Sequence, residues 1–74
     1  MTRLPGIRPE EVIRVLSKLG YVVDHQTGAH AILYKPGKLP ISVPKHKRDL
    51  KRGTLHHIIR SAGLTVEEFL DLRD

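Results

Sequence analysis

A chain of 74 residues with no cysteine excludes a disulfide scaffold, a thiolate metal site and more than one domain. Thirteen Lys and Arg against eight Asp and Glu give a formal charge of +5, which points away from acidic or disordered classes and toward a polyanionic partner. No apolar run approaches the ~20 residues a membrane span needs, and MTRLPGIRPEE contains no apolar leader, so the expectation is a soluble, cytoplasmic protein without membrane attachment.

So short a chain buries a small share of its surface, and its core must come from helices laid on a sheet. Residues 1–8 read as a poorly ordered lead-in. Pro9 suits the first position of a helix, with Glu10 and Glu11 in the first turn where the helix dipole favours acids. Val12, Ile13, Leu16 and Leu19 recur at helical spacing, and Gly20 is a C-terminal stop, so the first helix spans about 9–19. Tyr21 to His25 is β-branched and aromatic and reads as a strand. Gln26-Thr27-Gly28 is a turn, and Ala29 to Tyr34 is a second strand hairpinned to the first. Lys35 to Pro40 is a Gly/Pro-rich loop. Ile41 to Val43 is a third strand, with Pro44 at its end or at a sheet edge. Short connections make these strands an antiparallel meander.

Lys45 to Arg52 is a basic linker. Leu55, Ile58, Ile59 and Ala62 mark a second helix closed by Gly63. Thr65 and Glu68 fit a capping box that opens a short third helix, which would dock Phe69 and Leu70. The order α-β-β-β-α-α predicts a single α+β domain over residues 1–74, with a three-stranded antiparallel sheet covered by helices on one face.

The charge is unevenly placed. Lys35, Lys38, Lys45, Lys47, Arg48, Lys51 and Arg52 lie in one span that contains Asp49 as its only acid, while Glu67, Glu68, Asp71 and Asp74 collect at the C-terminal end. Such a field favours a polyanion such as nucleic acid, with a plain solvated loop as the competing reading. Aromatic residues are few, so recognition through backbone shape and charge suits the composition better than a row of stacked bases.

The five histidines are His25, His30, His46, His56 and His57. None are spaced four apart, and His56 and His57 point about 100° apart on a helix, so no metal site is expected. Strand alternation places Ala29, Ala31 and Leu33 on one face, the candidate covered side, and His30, Ile32 and Tyr34 on the other. An outward histidine beside cations suits proton transfer near neutral pH, and it is also compatible with an ordinary strand residue. Lys51-Arg52-Gly53-Thr54 before a helix reads either as a phosphate cradle or as plain N-capping by Thr54.

Four motifs in order then resemble one family. L-x-x-L-G-Y (Leu16 to Tyr21), G-A-H (Gly28 to His30), V-P-K-H (Val43 to His46) and L-K-R-G-T-L-x-x-I-I-x-x-A-G-L (Leu50 to Leu64) are similar to HicA, or YcfA-like, toxins of bacterial and archaeal toxin–antitoxin modules, over roughly residues 9–70. The resemblance implies a double-stranded-RNA-binding-domain-like fold and metal-independent cleavage of mRNA that inhibits translation, with no cofactor. It implies a HicB-type antitoxin that masks the active site. The family's catalytic histidine, in a G-S-H motif at the start of the second strand, corresponds to His30, and its P-x-H histidine to His46. Ala29 stands where the family has serine, which removes a hydroxyl beside the histidine. On this reading His30 is the general acid or base, and Lys35, Lys45, His46, Lys47, Lys51, Arg52 and Thr54 contact RNA. The competing reading is a non-catalytic RNA-binding module of the same fold.

Overall fold

The computed structural model describes residues 4–73. It contains α1 (Pro9–Lys18), β1 (Val22–Gln26), β2 (His30–Tyr34), β3 (Ile41–Pro44), α2 (Arg52–Ser61) and α3 (Val66–Arg73). The strands form an antiparallel sheet in the order β1-β2-β3, so β2 is central and Pro44 ends an edge strand. This is the α-β-β-β-α-α order read from the sequence, and the fold is α+β and double-stranded-RNA-binding-domain-like.

Each helix boundary has a local cause. The backbone N–H of Arg8 donates to Glu11 Oε2 at 2.8 Å, which starts α1 just ahead of Pro9. Gly20 adopts φ 99°, and the N–H groups of Gly20 and Tyr21 donate back to the carbonyls of Ser17 and Leu16, both at about 3 Å. That paired closure needs a left-handed residue, which glycine supplies without strain. Spending the Tyr21 N–H on the helix end is why β1 starts at Val22 and runs through Gln26, one residue later than the apolar pattern suggests. Gly63, at φ 77°, ends α2 in the same way, with Leu64 N–H donating to Ile59 O at 3.1 Å. At α3 the capping box is complete. Thr65 N–H donates to Glu68 Oε1 at 2.8 Å, and Glu68 N–H to Thr65 Oγ1 at 3.1 Å.

Two sequence-based expectations are corrected. The lead-in is not loose along its whole length, because Ile7 is fully buried and its carbonyl accepts from Leu50 N–H at 2.7 Å. Only residues 1–3 of it lie outside the described residues. Thr54 is not the N-cap of α2. Lys51 holds that position in extended geometry, and Thr54 lies in the first turn.

The helices lie on one face of the sheet, α1 and α2 against β3 and α3 against both helices. Ala31, Leu33, Ile41 and Val43 point into them, with Val12, Val15, Leu16, Ile58, Ile59 and Phe69 opposite. Burial of these side chains is the main favourable term, ~1.5–3 kcal/mol for each large one. His30 and Tyr34 are exposed and Ile32 is half-buried, so alternation along β2 divides the faces as expected. β1 is different. All five of its residues are exposed, Val22 at 61% and Val23 at 39%, because the helices stop short of this edge.

Candidate functional site

His30 begins β2 at a two-residue hairpin turn, and one side chain holds that turn. Thr27 Oγ1 accepts from His30 N–H at 2.9 Å and from Ala29 N–H at 3.2 Å, while Thr27 N–H donates to His30 O at 2.8 Å. Both backbone groups of His30 are therefore occupied, which sets the direction of its side chain. Its cross-strand partner is Pro44, and its ring lies on the open face of the sheet, away from the helices. The hydroxyl that orders the turn belongs to Thr27, and Ala29 takes part through its backbone alone.

Gly28 forms the tip. Its φ is not in the left-handed region, and a Cβ built there would meet nothing within 4 Å. The fold does not require glycine at this position. What the glycine provides is a backbone bare of side-chain atoms, one residue removed from Ala29 and two from His30.

The cations divide into three places. Lys45 follows β3 at the end of the sheet where His30 lies. Its N–H donates to Ala29 O at 2.7 Å, and its Nζ donates to Gln26 Oε1 at 2.6 Å. His46 comes next, and its Nδ1 accepts from Arg48 N–H at 3.2 Å, which leaves Nε2 to carry the proton of the neutral ring. Lys45, His46 and Lys47 rim an open groove of about 340 Å³ whose other wall is Pro9, Glu10 and Ile13 at the start of α1.

Lys51, Arg52 and Thr54 form the second place, the N-terminus of α2. Lys51 and Arg52 are exposed and Thr54 is half-buried. Among the described residues no side chain caps this helix start, and no acid lies in its first turn, whereas α1 and α3 use their own Glu11 and Glu68. Gly53 lies in that turn, with nothing within 4 Å of a built Cβ. Free N–H groups, the positive end of the helix dipole and two cations together are favourable for a phosphate.

Lys35 is the third place, and the structure separates it from the others. It follows β2 at the end opposite His30, ~16 Å away along a five-residue strand. Its Nζ donates to Leu19 O at 2.6 Å and lies 5.7 Å from the Tyr21 ring centroid. This cation closes the C-terminal end of α1 and covers a buried aromatic ring.

Sequence reasoning missed one pair. Between Val23 and His25 the β1–β2 register shifts by one residue, and in this irregularity His25 Nδ1 lies 2.9 Å from Asp24 Oδ2. The Asp-His dipeptide is visible in the sequence, but strict alternation assigns His25 to the wrong face of the strand.

No helix among the described residues is long and apolar enough to cross a membrane. Comparison with curated proteins returns no match. An exposed histidine locked at a hairpin mouth and a lysine beside that mouth lie at one end of the sheet, and an uncapped basic start opens α2. The sequence model for the HicA toxin of bacterial toxin–antitoxin systems matches residues 9–64, and the chain belongs to the HicA toxin family.

Proposed function

We propose that this HicA-family toxin is a metal-independent endoribonuclease that cleaves mRNA and thereby inhibits translation, with His30 as general acid or base. The observation that carries the reading is the setting of His30: an exposed imidazole on the open sheet face, its backbone held by Thr27, beside a hairpin tip with no side chain. Scission of RNA by its own 2′-hydroxyl needs a proton acceptor for that hydroxyl, a proton donor for the leaving 5′-oxygen, and cations to position the phosphate. Lys45 lies at the same end of the sheet, and Lys47, Lys51, Arg52 and the α2 N-terminus hold neighbouring phosphates. His46 contacts RNA through its free Nε2, and Thr54 supports the helix start. Lys35 has its ammonium committed to Leu19 and takes no part in RNA binding.

Membership of a toxin–antitoxin family implies an antitoxin partner. In this reading the partner is HicB-type and covers the His30 face, and the toxin acts in the cytoplasm. A second reading, a non-catalytic RNA-binding module, is favoured by one observation: Ala29 puts no hydroxyl beside His30.

The deciding experiment is cleavage of a long mRNA in EDTA by the parent protein and by His30→Ala, the two matched in thermal stability. Cleavage by the parent alone, with a drop of ~10²–10⁴-fold in the variant, is the expected result. RNA bound by both and cut by neither selects the binding module.

A further inference from the structure

We propose that His25 is the second proton-transfer group of the cleavage reaction, acting with His30 on one phosphodiester, and that Asp24 positions its ring. The proposal rests on the ribonuclease reading above.

The β1–β2 register carries the argument. Val22 pairs with Tyr34 and Val23 with Leu33, but Ile32 pairs with His25, and Asp24 is left as the extra residue of a β-bulge. In an unbroken ladder Asp24 would oppose Ile32, and His25 would oppose Ala31, whose side chain points to the helices. The inserted residue reverses this and turns His25 to the open face. On β2, Ile32 and His30 are two residues apart and share that face. His25 and His30 are therefore diagonal neighbours across an antiparallel pair, ~7–8 Å apart between backbone positions, a spacing that lets two rings approach one phosphate from different sides.

The local chemistry fits the role. The Asp24 carboxylate lies 2.9 Å from Nδ1 of His25, which fixes the ring's orientation and leaves Nε2 as its reacting nitrogen. The two side chains are 59% and 61% exposed, so substrate can reach them. Gln26, the next residue, opposes Ala31 and so takes the helix side, and its Oε1 accepts from the Lys45 ammonium at 2.6 Å, which puts that cation at the same end of the hairpin but on the other face. Among the described strand residues, Tyr34 is a further titratable group on this face, and it lies at the far end of β2. No packing need explains the bulge, since every residue of β1 is exposed. Bulges bend a strand and re-aim a side chain, and here the side chain re-aimed is an imidazole.

In the step itself, the 2′-oxygen bonds to phosphorus as its proton passes to the unprotonated imidazole of the pair. The phosphorus–5′-oxygen bond breaks as that oxygen takes a proton from the protonated imidazole. The products are a 2′,3′-cyclic phosphate and a free 5′-hydroxyl. The pair ends with the proton count it began with, and water restores the starting protonation of each ring.

The test is the pH–rate profile for cleavage of a short RNA in EDTA by the parent, His25→Ala, His25→Gln and Asp24→Asn, all checked for equal melting temperature. A two-limbed profile is expected for the parent. Both His25 variants are expected to lose ~10²–10⁴-fold in rate together with one limb, and Asp24→Asn to lose ~10-fold with that same limb displaced. Parental rates in the His25 variants, or an equal drop at every pH with both limbs kept, overturn the proposal while leaving His30 as the centre of the nuclease. An inactive parent overturns the ribonuclease reading, and this proposal with it.

Discussion

The two edges of the sheet are built on opposite terms. At β3, Ile41 and Val43 are buried under α1 and α2, and the strand is part of the core. At β1 all five residues are exposed, and the strand is held chiefly by its pairing with β2. β2 belongs to both, sending Ala31 and Leu33 into the core and His30 to the open face. The contrast teaches that burial constrains one edge and leaves the other free. A strand with no inward packing can carry a bulge, an Asp-His pair and an exposed histidine at little cost to stability. By the same argument the β1 edge is expected to be the first part of the sheet to open.

The largest effect that can break this comparison is a core truncation. Phe69 on α3 is 1% exposed, and Phe69→Ala should cost about 3–5 kcal/mol. A domain of this size has roughly 4–11 kcal/mol in total at 0.05–0.15 kcal/mol per residue, so the variant should be close to unfolding. Val22→Ala on the overhanging edge should stay within about 0.5 kcal/mol of the parent. Urea denaturation of the two checks the pair. Comparable losses would mean that the β1 edge carries stability after all.

A smaller effect sharpens the functional side. Lys51→Ala with Arg52→Ala removes two cations from an uncapped helix start that bears no core side chain of its own. Each phosphate contact contributes about 0.7 to the slope of log affinity against log salt for a single strand, so the double variant should lose up to about 1.4 in that slope. Melting temperature should hardly move. Lys35→Met is the matched control, expected to leave the slope alone because its ammonium is committed to Leu19 O. RNA binding measured across a salt series distinguishes the two positions. An unchanged slope in the double variant would remove the α2 N-terminus from the phosphate path.

What the sequence made legible follows local rules. Gly20 and Gly63 close helices, Thr65 and Glu68 open one, and alternation along Ala31-Ile32-Leu33 tells the covered face from the open one. What escaped depends on partners distant in sequence or on a broken period. Ile7 lies alone among Pro and Gly residues and has no periodic neighbours, so its burial follows only from Leu50 reaching back to its carbonyl. Lys35 looks like one more cation of the basic run until the Leu19 carbonyl is found beside it. Thr54 looks like a cap because hydroxyls favour that position, yet Lys51 and Arg52 already satisfy helix-start geometry ahead of it. The bulge at Asp24 has no compositional mark, and it alone decides which face His25 takes.

A small change at the hairpin tip is the most discriminating for the site. Gly28→Ala places a methyl group where nothing lies within 4 Å, on a backbone outside the left-handed region. Such a change should stabilise the protein by about 0.4–1 kcal/mol, because alanine loses less chain entropy on folding than glycine does. If the hairpin tip served only as a turn, cleavage would be unchanged or slightly improved. If a phosphodiester passes over the tip to reach His30, the methyl group stands in its way, and cleavage should fall while stability rises. Melting temperature and single-turnover cleavage of the same preparation give both readings. A gain in stability paired with a loss of activity separates the two edges of the sheet in a single residue, since no loss of packing can account for it.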